Sequence, residues 1–351
     1  MADARPEPAG SRPADVPVLR VSNVTVRAAG RSLIRPVLNQ VSLDIRPGEI
    51  AGLVGESGSG KTTLCRLVAG LLLERMKLTS GSITLGGRDV TTLPPRALHQ
   101  MLPRGLSMVF QDPLAALNPV MRIGDQVAEA VTMRHEGSRA DARRAAIELL
   151  RQMGLDDAER RARDYPRQLS GGQRQRVVIA MALATDPVLL LADEPTSALD
   201  VRTQAQILDL LKEVAATRQV AILLVSHDFG VISEICSKVW VMYAGEIVES
   251  GTTAQILRNS AHPYTARLIT SLPSVSHRVP RLPVIAGQPP TLEEQHPGCP
   301  FYPRCERGQA GVCTTGFMSL QQVGPGHATA CVLAAVPATA SESERPADPS
   351  R

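Results

Sequence analysis

The sequence predicts an α/β fold with a largely parallel sheet, followed by a smaller, cysteine-containing unit. Three observations carry that prediction. Short apolar runs alternate with helix-spaced segments through most of the chain, which is how strands are laid down between layers of helix. The chain has 351 residues, 43% of them hydrophobic, enough to bury one large core and a smaller second one. Past about Thr253 the rhythm fades, proline becomes frequent, and four cysteines gather between residues 299 and 331.

Each element follows in order. Residues 1–16, MADARPEPAGSRPADV, are polar and proline-rich. They lack the apolar stretch of a signal peptide, so residues 1–17 are expected to be a disordered tail. EIAGLVG (49–55) reads as a buried strand, followed by a glycine loop and a helix opening near Lys61. SMVF (107–110) is a second strand. RADARRAAIELLRQMG (139–154) has helical spacing and a glycine stop. PVLLLAD (187–193) is a short apolar strand, RTQAQILDLLKEVAATR (202–218) an amphipathic helix, and VAILLVS (220–226) a strand again. VWVMYAGEIVES (239–250) reads as a β-hairpin turning at Ala244-Gly245. Residues 336–351 are expected to be a second disordered tail. The longest apolar stretch, VVIAMALATDPVLLLA, is interrupted by Asp186 and Pro187 and falls short of the roughly 20 apolar residues of a membrane span. The chain is therefore expected to be soluble and cytosolic, with reduced thiols.

Charge excludes little but points somewhere. The net charge is +4 and 21% of residues are charged, so no strong field argues for a nucleic-acid partner. Of 38 basic residues only four are lysine: Lys61, Lys77, Lys212 and Lys238. A lysine in this arginine-rich chain invites a reason.

For Lys61 the reason is GESGSGKTT, residues 55–63, which sits between a strand and a helix and matches G-x-x-x-x-G-K-[ST]. Gly55, Gly58 and Gly60, with Ser57 and Ser59, let backbone N–H groups turn inward around phosphate oxygens. The following helix adds its positive N-terminal end. Lys61 reaches the β and γ phosphates as a compact charge, Thr62 offers a hydroxyl to Mg²⁺, and Thr63 completes the loop. LLLADEP (189–195) supplies a second part. An apolar strand ending in two carboxylates delivers them to the ligand-binding edge of the sheet. Asp193 is expected to hold Mg²⁺, directly or through water, and Glu194 to activate the attacking water as a general base. LSGGQ (169–173) places Ser170, Gly171, Gly172 and Gln173 at another anion-binding helix start. One chain thus carries two phosphate-binding loops, and spacing alone does not say whether both clasp the same nucleotide.

Together with Gln111 after a strand, SALD (197–200) and His227 in VSHD, these motifs stand in an order that resembles the ATP-binding subunit of an ABC transporter. The resemblance spans roughly residues 18–335. It implies a P-loop NTPase, ABC-type nucleotide-binding domain over residues 18–255, with a RecA-like core, a helical subdomain at about 112–182 and an antiparallel β part. It also implies an ATPase that uses ATP and Mg²⁺ in a head-to-tail dimer. Ser170 and its glycines, with Gln173, would complete the γ-phosphate site of the opposite subunit, and Asp200 would cross the same interface. His227 would contact the γ-phosphate. Gln111 would sense Mg²⁺ and the lytic water while its loop touches the membrane partner. One departure stands out: the family stacks adenine on an aromatic residue upstream of the glycine loop, and here that position is Ala28, next to Arg27.

MVFQDPLAALNP (108–119), IAMALATDPVLLLADEPTSALDV (179–201) and HPYT (262–265) resemble the peptide/nickel importer subfamily. IAGQPP (285–290) followed by GCPFYPRC (298–305) resembles the C-terminal extension of its dipeptide and oligopeptide members, here residues 256–335. The implied partners are two transmembrane permease subunits, a second ATPase subunit (a copy or a related chain) and an external solute-binding protein. The implied place is the cytoplasmic face of the cell membrane. Two alternatives stay open: import of nickel, a metallophore or another small solute, and a soluble ABC-type ATPase acting on nucleic acid or ribosomes. The second lacks the coiled coil or the fused second ATPase unit that such proteins carry.

Cys299, Cys305, Cys313 and Cys331 are spaced x5, x7 and x17. A reducing compartment argues against disulfides. Four thiolates in a short, poorly hydrophobic segment suit a metal or a cluster. The wide spacing and adjacent prolines favour a [4Fe–4S] cluster, with zinc or free thiols as alternatives, because zinc sites usually show tight C-x₂₋₄-C pairs. His296 and His327 read as surface histidines, and Cys65 and Cys236 as plain buried cysteines.

Overall fold

A computed structural model describes residues 16–29, 35–93, 105–133, 137–271, 285–294, 297–316 and 318–334. Apart from residues 16 and 17 the two predicted tails, and His296, lie outside the described residues. In chain order the strands are β1 (Leu19–Ala28), β2 (Leu38–Ile45), β3 (Ile50–Val54), β4 (Met76–Leu85), β5 (Arg88–Asp89), β6 (Leu106–Val109), β7 (Leu189–Asp193), β8 (Ala221–Ser226), β9 (Lys238–Tyr243), β10 (Glu246–Thr252), β11 (Gln321–Gly324) and β12 (His327–Thr329). They form two sheets, β2-β1-β4-β5 and β11-β12-β10-β9-β3-β8-β7-β6.

The larger sheet is parallel from β9 through β3, β8 and β7 to β6. Strands β3, β7 and β8 are buried at every position, as expected where both faces are covered. Their residues alternate between two cores. Leu53, Leu189, Leu191, Leu223 and Val225 face the antiparallel sheet and the helix Lys61–Val68. Val54, Leu190, Ile222 and Leu224 face the helices Gly171–Leu183 and Val201–Arg218. The smaller sheet is antiparallel. In β1 the buried positions Val21 and Val24 break the period of two, because a register shift falls between them at Asn23.

The helices Pro113–Ala116, Ile123–Thr132, Arg139–Gln152 and Ala158–Arg161 lie between β6 and Gly171–Leu183. Ser138 opens Arg139–Gln152 with a capping box to Asp141, and Gly154, at φ 69°, closes it. Among the described residues no helix is long and apolar enough to cross a membrane.

The hairpin β9–β10 turns at Ala244 and Gly245, with φ 49° and 85°, the positive pair that a two-residue turn requires. Beyond it come two short helices, Thr253–Asn259 and Pro263–Thr270. Then β12 pairs with β10 (Glu249 with Thr329, Ser250 with Ala328) and extends the larger sheet. His327 corrects the sequence reading. It is not on the surface but buried, with Nε2 2.8 Å from Oε1 of the fully buried Glu249. A buried carboxylate needs donors, and Glu249 also accepts the Ala261 and His262 backbone N–H groups at 2.6 and 3.0 Å. Cys65 and Cys236 are buried, as expected.

Candidate functional site

The phosphate-type loop follows directly from the end of β3. At Gly55 a Cβ would meet the Met242 carbonyl oxygen at 2.1 Å, and Gly60 takes φ 106° immediately before the helix. Neither position accommodates a side chain, so the backbone turns tightly there, with the Ser59 N–H donating to the Glu56 carbonyl at 3.2 Å. Lys61 Nζ folds back onto the Gly55 and Glu56 carbonyls at 2.7 and 2.9 Å. Burial pushes its ammonium pKa down, while Glu194 and Asp193 pull it back up. Ser59 Oγ is buried with no hydrogen-bond partner among the described residues.

Asp193 ends β7 and receives the Thr62 hydroxyl at 3.3 Å. Burial raises its carboxyl pKa, and the Thr62 hydrogen bond opposes that shift. The buried carboxylate beside a hydroxyl forms a set of hard oxygen donors, which suits Mg²⁺. Glu194, next in the chain, sits at φ 49°, and its N–H is tied to the Val225 carbonyl at 2.9 Å. Its Oε2 accepts the Gln111 amide at 3.0 Å, and its Oε1 lies 3.0 Å from His227 Nδ1. Three strand ends, those of β6, β7 and β8, thus bring an amide, a carboxylate and an imidazole together.

These groups face a cleft of about 620 Å³, lined by Ser57, Gly58, Gly60, Lys61, Thr62, Thr63, Gln111, Glu194 and His227. Three further lining residues escaped the sequence reading: Val37, Glu56 and Leu268. Val37 and Leu268 supply apolar wall, whereas Ala28 ends β1 opposite Met76 and does not line the cleft. Only Glu56 had a signal, its place inside the glycine motif.

Ser170, Gly171, Gly172, Gln173 and Asp200 lie outside this cleft. Ser170 caps the helix Gly171–Leu183 in a reciprocal box with Gln173: Ser170 N–H to Gln173 Oε1 at 3.0 Å, and Gln173 N–H to Ser170 Oγ at 3.3 Å. A Cβ on Gly172 would meet Thr203 Cγ2 at 2.3 Å. Thr203 in turn donates its N–H and hydroxyl to Asp200 at 3.0 and 2.7 Å, which holds the Asp200 carboxyl below its ordinary value. The LSGGQ and SALD segments are therefore joined to one another and present a second, separate polar surface.

Cys299, Cys305, Cys313 and Cys331 all line one cavity, together with His262 and Phe301. Burial pushes Cys299 up to about 11, with the neighbouring thiols adding to the rise, and Cys305 and Cys331 are raised too. The possible donors are the four thiols and the His262 ring, and the cavity measures about 20 Å³, room for one water. Among the described residues no three His, Cys, Asp or Glu side chains are placed to hold a metal ion. Neither the expected [4Fe–4S] cluster nor its zinc alternative therefore finds a preformed ligand cage there, and either would require the thiols to lose their protons and rearrange.

Comparison with known proteins agrees with the geometry. Residues 38–197 match the ABC transporter family, and residues 248–313 match the oligopeptide/dipeptide transporter C-terminal region. A probable peptide ABC transporter ATP-binding protein, y4tR of Sinorhizobium fredii, is 40% identical over 316 residues, covering 90% of this chain and 94% of the relative. The oligopeptide transport ATP-binding protein OppD of Mycobacterium tuberculosis is 42% identical over 321 residues, covering 90% of this chain and 52% of that longer protein. Among solved structures, the ATP-binding cassette MJ0796, in a dimeric post-hydrolysis state bound to ADP and Pi, aligns with TM-score 0.60 and 31% identity over 67% of this chain and 98% of that one. This chain therefore belongs to the ATP-binding subunits of the ABC transporter family, in the branch that carries the oligopeptide/dipeptide transporter C-terminal region.

Proposed function

We propose that this chain hydrolyses MgATP to drive import of di- or oligopeptides through two membrane permease subunits, working as one half of a head-to-tail ATPase pair. The observation that carries the reading is Glu194, held between Gln111 and His227 at the mouth of the phosphate-loop cleft. The loop N–H groups and Lys61 bind the β and γ phosphates, and Thr62 and Asp193 hold the magnesium that accompanies the nucleotide. Gln111 touches the same site from the end of β6. Glu194 takes a proton from the attacking water, and His227 steadies the carboxylate and meets the γ-phosphate.

The pairing explains why Ser170, Gly171, Gly172, Gln173 and Asp200 stand outside their own chain's cleft. A second subunit turned head to tail brings that surface over the γ-phosphate, so each site takes its parts from two polypeptides. A peptide cargo, rather than nickel or a metallophore, follows from the matched C-terminal region.

The permease contact fits an open, mostly apolar groove of about 450 Å³ next to Gln111, lined among others by Leu71, Met108, Phe110, Met133 and Met181. Phe110 and Met133 are 41% and 59% exposed there, an apolar patch of the kind that marks an interaction site. The chain then sits at the cytoplasmic face of the membrane, with cargo delivered from outside by a solute-binding protein. The division into an ATPase domain (18–255, its helical part at about 112–182) and an extension (256–335) belongs to the same reading. So does a structural [4Fe–4S] cluster on Cys299, Cys305, Cys313 and Cys331, which requires the cavity walls to spread. Anaerobically purified protein would then absorb broadly near ~400 nm, and colourless protein in which Cys299→Ser changes nothing would refute the cluster.

The test of the whole reading is transport. Proteoliposomes holding the chain, its permeases and the binding protein should take up labelled peptide only with MgATP. Full-rate hydrolysis by a strictly monomeric chain, or hydrolysis with no peptide uptake, would overturn it.

A further inference from the structure

We propose that Arg304 is a positioning residue for the nucleotide site: it grips and neutralises Glu56, the second residue of the phosphate loop, and so makes the C-terminal region a working part of the pocket. The proposal rests on the ATP-site reading above.

Arg304 and Glu56 are 248 positions apart in sequence, yet they form a two-pronged pair, Nη1 to Oε2 at 2.7 Å and Nη2 to Oε1 at 3.0 Å. The arginine side chain is only 5% exposed and the glutamate 26%. Parallel N–H···O bonds of this kind fix geometry as well as charge. The guanidinium is itself anchored. It donates to the Ala286 and Ile285 carbonyls at 2.8 and 3.2 Å and to the Tyr243 hydroxyl at 3.2 Å, and it lies 5.8 and 5.9 Å from the Tyr243 and Phe301 ring centroids. Five donor contacts and two rings leave it one position.

Glu56 is held at its backbone as well. Its N–H donates to the Tyr264 hydroxyl at 2.8 Å, and its carbonyl receives Lys61 Nζ at 2.9 Å. Side chain and N–H are thus both secured by residues from beyond position 255, while the carbonyl anchors the lysine that must reach the phosphates.

Charge gives the arrangement its consequence. Glu56 lines the cleft that receives a polyphosphate. Left alone, its carboxylate would repel that anion at short range, where solvent screens little. Paired with Arg304 it is neutral overall. Without Arg304, the loop keeps its glycines and lysine but gains an uncompensated negative charge at its start.

The experiment titrates MgATP onto the full-length chain and measures turnover in the permease complex. R304M keeps an unbranched apolar stem and removes the fork. Its Kd for MgATP should rise about tenfold, with kcat changed far less. R304M/E56Q, which removes the stranded charge without restoring the clamp, should regain most of that loss. R304K, charged but unable to fork, should fall between wild type and R304M. Wild-type affinity in R304M, or R304M/E56Q binding as weakly as R304M, would overturn the proposal, the latter because a merely structural arginine is not rescued by removing a charge. If R304M does not fold by thermal melting, R304K decides: weakened binding that E56Q relieves supports the proposal, and wild-type affinity ends it. Failure of wild type to bind MgATP, or K61A binding as well as wild type, would instead sink the ATP-site reading beneath it.

Discussion

His227 Nδ1 lies 3.0 Å from Glu194 Oε1 while the glutamate backbone is in the left-handed region at φ 49°. A non-glycine residue there costs about 1–3 kcal/mol. The cost is borne because the Glu194 N–H bonds to the Val225 carbonyl at the end of β8, which turns the side chain out of the sheet edge into the cleft. Strain and hydrogen bond together set where the carboxylate points.

Glu194→Gln should therefore leave the cleft intact and remove its base. Hydrolysis should fall by roughly 10²-fold or more, while MgATP affinity stays near wild type and a nucleotide-bound dimer accumulates. Turnover assays and size-exclusion chromatography with MgATP check both halves. Undiminished turnover would remove Glu194 from the role.

Gly172→Ala tests the junction between the LSGGQ and SALD segments. Its Cβ would lie 2.3 Å from Thr203 Cγ2, so the helix Gly171–Leu183 must shift or Thr203 must turn, at about 1–3 kcal/mol. Either movement also disturbs Asp200, which Thr203 holds. Urea unfolding should show the loss. G172A/T203A should recover most of it, because the remaining Thr203 Cβ stands 3.7 Å away, an ordinary contact.

The parallel core was legible because β3, β7 and β8 are covered on both faces and so consist of unbroken apolar runs. The nucleotide-type site was legible because its geometry is made mostly of backbone and glycine, which leave a fixed spacing in the chain. What stayed hidden depends on contacts between distant side chains. Glu56 and Arg304 meet across 248 positions, and neither residue type signals the other. Strands β11 and β12 are four and three residues long, too short for a period. His327 looked like a surface residue because its partner Glu249 belongs to a strand 78 positions earlier.

That buried pair makes a stability prediction. Glu249 satisfies three donors: two backbone N–H groups and the His327 ring. Glu249→Ala leaves all three without an acceptor inside the fold, at about 3–5 kcal/mol. Urea midpoints should drop accordingly, and a change below about 1 kcal/mol would mean that water replaces the carboxylate.

His262 links the C-terminal region to pH. Its ring is buried, and burial pushes its pKa down to about 3. Nδ1 accepts the Tyr264 N–H at 3.1 Å, so the ring proton sits on Nε2. Glu249 takes the His262 backbone N–H, and the ring itself faces Phe301, at 6.0 Å between centroids. In the unfolded chain the imidazole titrates near 6.5. Between about 6.5 and 3 the unfolded chain therefore binds a proton that the native chain refuses. The stability is fully present above 6.5 and is lost as pH falls through that window, by up to about 1.4 kcal/mol per unit. His262→Asn keeps a capping acceptor and removes the titration. Between pH 7 and 5.5, wild type should lose about 1 kcal/mol more unfolding free energy than the variant. Equal losses would mean that the ring is protonated in the native state, which its apolar neighbours and its accepted hydrogen bond from Tyr264 both oppose.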